Sequence, residues 1–105
     1  MENKYELVIY PQAAADMEGI FDYIYYQLCN PTAAFKQVED FEKALDTVCS
    51  APLSCPTVNN DYVKDRSLRK LIVNNYIVFY RPLQEEAQIE VVRVLYGMRN
   101  FKDIL

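Results

Sequence analysis

Val91-Val92-Arg93-Val94-Leu95-Tyr96-Gly97-Met98-Arg99-Asn100 is the stretch on which the reading of this chain turns. Its β-branched and aliphatic residues favour a strand, and Gly97 breaks that strand. Arg93 lies inside the strand and Arg99 follows the break. Arginine is charged at every cellular pH and offers a planar fork of donors that fits phosphate or carboxylate. Two of them beside the Tyr96 phenol point to an anion or phosphate site. Simple alternation puts Arg93 on a face with Ile89, Val91 and Leu95, where a cation is costly unless paired. Arg93 therefore reads equally as a site residue and as half of a structural ion pair with an acid on a helix or neighbouring strand.

Two more strands precede this one. Residues 67–73 and 76–82 are apolar and β-branched, and Asn74-Asn75 between them suits a two-residue hairpin because asparagine tolerates positive φ. Residues 83–87 make a looser turn into the strand at 88–96. Arg69 shares a face with Leu71 and Val73, and Lys70 with Leu68 and Ile72. Each is either an edge charge that discourages sheet pairing or a binding residue.

The first half reads differently. Residues 5–10 form a short first strand. Pro11 opens a helix, for which proline suits the first position, and Met17, Ile20, Phe21, Ile24 and Leu28 recur at helical spacing as its buried stripe. Asn30-Pro31 ends this helix and caps the next, whose stripe is Ala34, Phe35, Val38, Phe41, Leu45 and Val48. So short a link favours an antiparallel helical hairpin. The stretch from Ser50 to Pro56 is loop, residues 57–66 read as irregular, and Asn100 caps a last short turn through Leu105. The order is β-α-α-β-β-β. The expected fold is α+β: an antiparallel four-stranded sheet with the helical hairpin packed on one face, forming a single domain over residues 1–105.

This order, the Ser-Ala-Pro loop, the Asn-Tyr-Ile-Val-Phe-Tyr-Arg strand and the Arg-Val-Leu-Tyr-Gly ending together resemble the RelE/ParE family of bacterial toxins, over nearly the whole chain. The resemblance implies the toxin of a type II toxin–antitoxin module that arrests growth. Three readings follow from it: ribosome-dependent mRNA cleavage, ParE-like non-catalytic inhibition of DNA gyrase, or a degenerate member that only binds its antitoxin. It also implies a cognate antitoxin protein as partner and the ribosome with mRNA, or DNA gyrase, as target. Arg99 matches the arginine that follows this glycine in the ribosome-dependent nucleases and contacts substrate phosphate there. With Arg93 and Tyr96 it makes the candidate catalytic set, while Arg69 and Lys70 are the candidate substrate-binding residues. Tyr96 stands where many relatives have histidine, and a phenol with an ordinary pKa of about 10 is a poor base near neutral pH. Two positions depart from the mRNA-cleaving members. Ile77 replaces an arginine after the strand-3 tyrosine, and Leu105 replaces a C-terminal tyrosine. No residue is left with an obvious role in activating the 2′-hydroxyl for attack.

Composition narrows the chemistry further. The chain has no histidine, so a Ser-His or Cys-His nucleophile within it is excluded. Its three cysteines lack metal-site spacing and read as reduced thiols of a cytoplasmic protein; no metal or cofactor is expected. No apolar run is long enough to span a membrane and no signal peptide is evident. The net charge of -4 argues against a general nucleic-acid binder. The charge is uneven: residues 1–60 hold three lysines against nine acids, whereas all five arginines lie beyond residue 60. Acidic helices on one side and an arginine-bearing sheet that meets an anionic partner are the expectation.

Overall fold

The computed structural model describes residues 4–58 and 67–97. The elements run β1 (Glu6–Ile9), α1 (Pro11–Asp22), a π-helical turn (Tyr23–Gln27), α2 (Pro31–Ser50), β2 (Arg69–Val73), β3 (Tyr76–Leu83) and β4 (Gln88–Tyr96). Both helices begin on proline as the sequence implies, and Asn30 Oδ1 accepts the Ala33 N–H at 3.1 Å to cap α2. The asparagine hairpin also forms, with Val73 opposite Tyr76 and Asn74 at φ 57°. The expected last turn at Asn100 lies outside the described residues.

The sheet is mixed, and here the expectation of an antiparallel sheet fails. Strand order is β1-β4-β3-β2, with β1 parallel to β4 and the other pairings antiparallel. The reason is parity. Two helices carry the chain out and back, so the end of α2 returns to the start of β1, where the Tyr5 N–H donates to the Cys49 carbonyl at 2.9 Å. β2 therefore sets out from the same end as β1. Two hairpin reversals later, β4 again points the same way and pairs with β1.

The helices cover one sheet face. Phe41, Leu45 and Val48 of α2 and Ala13 of α1 pack with Val78, Tyr80, Ile89, Val91 and Val94. Tyr80 is wholly buried, and its hydroxyl donates to the Pro52 carbonyl at 3.0 Å. A smaller cluster of Val58, Leu68, Phe79 and Leu95 forms separately from it. Among the described residues, no helix is long and apolar enough to cross a membrane.

Two residues of the expected stripes face solvent, Leu28 at 54% and Phe35 at 62% exposure. For Leu28 the cause is the π-helical turn. Its N–H bonds the Tyr23 carbonyl five residues back, so the count of ~3.6 residues per turn no longer holds. Phe35 lies off the arc set by Ala34, Phe41, Leu45 and Val48, and Gln37 takes the buried position instead. Its Oε1 accepts from Asn74 Nδ2 at 3.0 Å, tying the β2–β3 hairpin to α2.

Because Phe41 is 2% exposed at the centre of the helix–sheet layer, Phe41→Ala is expected to cost about 3–5 kcal/mol. Urea unfolding of the two proteins checks this, and a loss below about 1 kcal/mol would contradict the packing.

Candidate functional site

β4 is longer than its parallel partner. Pairing with β1 ends at Ile9 opposite Val91, followed by a Tyr10 N–H bond to the Val91 carbonyl at 3.0 Å. Beyond that point Pro11 turns the chain into α1, and among the described residues no strand continues β1 along the edge of β4 from Val92 to Tyr96. Asp16 of α1 takes the strand's place. Its Oδ2 accepts the Val94 N–H at 3.0 Å and Arg93 Nε at 2.7 Å, and its Oδ1 accepts Arg93 Nη2 at 3.0 Å. The pair is largely buried, with side-chain exposures of 11% for Asp16 and 20% for Arg93. Burial pushes the Asp16 carboxyl up. Hydrogen bonds from Arg93, the Val94 N–H and Gln12, with the charge of Arg93, outweigh it and hold the group below its ordinary value.

The strand that carries Arg93 is not regular. The pairing shifts between Phe79, opposite Arg93, and Tyr80, opposite Val91, so Val92 is an extra residue. After this bulge the alternation inverts. Val94, not Leu95, joins Ile89 and Val91 in the main core. The simple face assignment for Arg93 does not survive it.

Past Arg93 the end of β4 opens into a cleft of about 760 Å³. Tyr96 is half exposed, and its ring meets Tyr76 edge to face, with centroids 6.0 Å apart and planes at 68°. Tyr23 and Leu28 of the helical layer complete the wall, with Asp16 and Gly19 of α1 also lining it. The Tyr76 phenol is pushed up by burial and then by Tyr23 and Tyr96, whose charged forms would repel its own. Gly97 closes the strand with an N–H bond to the Asn75 carbonyl at 2.9 Å, and a Cβ there would lie 3.3 Å from that oxygen.

The candidate residues that are described do not all meet in one place. Tyr96 lines the cleft and Arg93 is held beside it by Asp16. Arg69 lies opposite Tyr80, four residues along the sheet from the Val73–Tyr76–Tyr96 row, or about 13 Å. Its Nη1 donates to the Cys55 and Leu53 carbonyls at 2.6 and 3.4 Å, which pins the loop after α2. Lys70 shares a cross-strand row with Phe79 and Arg93. Arg99 lies outside the described residues. Arg81 bonds Glu90 at 3.0 Å and the Tyr10 hydroxyl at 3.1 Å. Arg69, Arg81 and Arg93 are thus all engaged within the chain, unlike the open arginine face expected from composition.

A second concavity was not legible in the sequence. A groove of about 470 Å³ runs between β1 and the helices, lined by Leu7, Ile9, Met17, Val38, Phe41 and Leu45, among others. The Lys4–Asp46 ion pair at 2.8 Å stands beside it. Among the described residues β1 is an edge strand of the sheet, paired with β4. The exposure of Leu7 and Ile9 along so short a strand is the signal that marks this groove.

This fold is shared with chains from solved ParDE and RelBE toxin–antitoxin systems. The chain is similar to one of the chromosomal ParDE toxin–antitoxin system from P. aeruginosa, with a TM-score of 0.70 at 20% identity over 90% of this chain and 98% of that one. It is also similar to a chain of the RelBE2 toxin–antitoxin complex from Mycobacterium tuberculosis (TM-score 0.62, 16% identity, 89% and 98% covered). The archaeal RelE–RelB complex from Pyrococcus horikoshii OT3 is a third (TM-score 0.57, 15% identity, 92% and 99% covered). Comparison with curated proteins finds no match. The family model for the ParE toxin of the type II toxin–antitoxin system parDE matches residues 7–101, so the chain belongs to the ParE toxin family.

Asp16→Asn is expected to cost about 2–4 kcal/mol, because it leaves the Arg93 charge largely buried without its counter-ion. The pH dependence has a definite sign. A carboxylate held below its ordinary value of 3.8 contributes stability that is complete above that value and lost as pH falls through the lower folded pKa. Chemical unfolding from pH 7 to pH 3 should show this loss in the parent and a shallower one in Asp16→Asn. Equal slopes would contradict the clamp.

Proposed function

We propose that this toxin arrests growth by binding a protein target, DNA gyrase, and not by cutting mRNA. One observation carries the reading. Among the described residues that line the cleft at the end of β4, the sole charged side chain is Asp16, and Arg93 already occupies it. Strand cleavage by 2′-hydroxyl attack needs a group to activate the nucleophile and a cation to neutralise the phosphorane. Tyr96 brings a hydroxyl to the cleft but no cation. Inhibition by binding needs only surface, and half-exposed tyrosines are the side chains that dominate protein interfaces. The match to the ParE family supports the same choice.

A cognate antitoxin is the second partner in this reading. The similar chains come from structures described as toxin–antitoxin systems or complexes. The apolar groove beside β1 offers an antitoxin both a hydrophobic seat and a free strand edge for main-chain pairing. A toxin that meets gyrase and an antitoxin works in the cytoplasm, where both are found.

Expression of the chain alone, with a gyrase supercoiling assay and primer extension on cellular mRNA run in parallel, tests the target. Inhibited supercoiling with intact transcripts is expected. Tyr96→Phe and Arg99→Ala should then weaken toxicity by less than about tenfold, as single contacts among many do. Ribosome-dependent cuts in mRNA, abolished by both substitutions, would restore the nuclease. For the antitoxin, Ile9→Asp puts a charge in the groove and should weaken binding of the product of the neighbouring reading frame by about tenfold or more. Unchanged binding by calorimetry would move the antitoxin elsewhere.

A further inference from the structure

The tip of the helical hairpin carries a surface that neither the cleft nor the groove uses. There α1 and the π-helical turn meet the start of α2 through four rings. Phe35 packs edge-on against Phe21, with centroids 5.2 Å apart and planes at 73°. Tyr25 meets Phe21 at 5.5 Å and Phe35 at 6.3 Å, and Tyr26 meets Tyr25 at 4.7 Å. The rings touch one another, yet Phe35 and Tyr26 remain 62% and 67% exposed. Exposed aromatics gathered in one place mark a protein-binding surface. Met17 lines the groove beside β1 one turn before Phe21, and Val38 lines it one turn after Phe35, so the rings adjoin that groove without lining it.

The charges beside these rings are set against the local physics. Residues 11–50 are all described and hold two bases, Lys36 and Lys43, which are spent on Asp40 and Glu39 one turn away. Glu18 and Asp22 are exposed, and neither has a hydrogen bond or ion pair among the described residues. Lying four residues apart on α1, they repel each other. Asp22 is also the last residue of α1, and neither that turn nor the π-helical turn carries a base, although the negative end of a helix favours one. Glu18 stands between Phe21, three residues on, and Asp22, four residues on, so ring and acids form one outer stripe of α1. A cation supplied from outside the chain relieves both unfavourable placements at once.

We propose that the tip of the hairpin docks a basic amphipathic helix of a protein partner. Its apolar side chains cover Phe21, Tyr25 and Phe35, and its lysine or arginine residues pair with Glu18 and Asp22. Two antiparallel helices offer a third one a seam in which to lie, read by apolar anchors at helical spacing. A wholly apolar helix would cover the two acids without a counter-ion, which is costly. A second copy of the chain would set the same acids against their own kind.

The inference rests on the reading of the chain as a protein-binding toxin for the class of partner. The test is separate, because it measures the hairpin tip and not growth arrest. Cleavage of mRNA in cells would remove the gyrase reading and leave the titration below unaffected.

The probe is a blocked helical peptide of about eighteen residues with leucine along one face and lysine along its flanks. One control has glutamate for each lysine and another has alanine for each leucine. Each is titrated into the protein and followed by NMR. The lysine–leucine peptide should shift the signals of Phe21, Tyr25, Tyr26 and Phe35 saturably, and each control should bind at least about tenfold more weakly. Binding should also weaken as salt rises from about 50 to about 500 mM. Tyr26→Ala with Phe35→Ala should weaken it by about tenfold or more while the protein stays folded. Glu18→Gln with Asp22→Asn should weaken it too, and should raise the thermal midpoint of the free protein by about 1–3 °C, because the repulsion is gone. A merely structural role for the two acids predicts a lower midpoint. No binding, equal binding of either control, or unchanged binding in either double variant overturns the proposal. So does concentration-dependent shifting of the same signals without peptide, which would make a second copy of the chain the occupant.

Discussion

The Asp16 clamp is the contact on which the upper half of this molecule depends. β1 has four residues and ends where Pro11 turns the chain. β4 has nine and runs on past it, paired with β3 on its other side. An open edge beside a packed helix would leave backbone donors unsatisfied, which is costly. One carboxylate answers this by accepting the Val94 N–H and two N–H groups of the Arg93 fork. The same contact fixes where α1 sits along β4. That register then places Gly19 and Tyr23 opposite Tyr76 and Tyr96, and so shapes the cleft.

A consequence is that the chain's most suggestive residue serves its fold. A buried ion pair is worth little net against an apolar pair of similar size, but breaking one is expensive. Arg93 is therefore held in place and removed from the cleft at once. Arg69 does a comparable task for the loop after α2 and Arg81 for the β3–β4 ladder. With these cations turned inward, the cleft presents tyrosines, and the groove beside β1 presents aliphatic side chains. The two surfaces differ in chemistry, which fits the proposal of two different partners.

Much of the architecture was legible in the sequence. Proline starts, the Asn30 cap and the Asn74-Asn75 turn are local signals, and local physics decides them. Strand direction was not legible in the same way. Whether β1 runs with or against β4 depends on how many times the chain crosses the sheet and on which strand receives β1, and no local pattern encodes that. Leu28 was misplaced because a π-helical turn breaks the period on which its burial was inferred. Phe35 was misplaced because polarity was weighted above angle, where Gln37 had the better position on the arc. The bulge at Val92 inverted the face of every later residue in β4, and with it the surroundings of Arg93. For the candidate site, residue types pointed correctly to the strand end, yet only the fold shows that Arg93 has a partner 77 residues away in the chain.

The central claim is that Arg93 maintains the fold, with the proposal that it takes no part in toxicity. The most direct measurement is growth arrest by the paired variant Asp16→Asn with Arg93→Met. The asparagine keeps an acceptor for the Val94 N–H, and the methionine fills the space of the guanidinium stem without its charge. The account predicts a folded protein, close to the parent in thermal midpoint, that still arrests growth. A folded protein that has become harmless would contradict it and return Arg93 to the active chemistry.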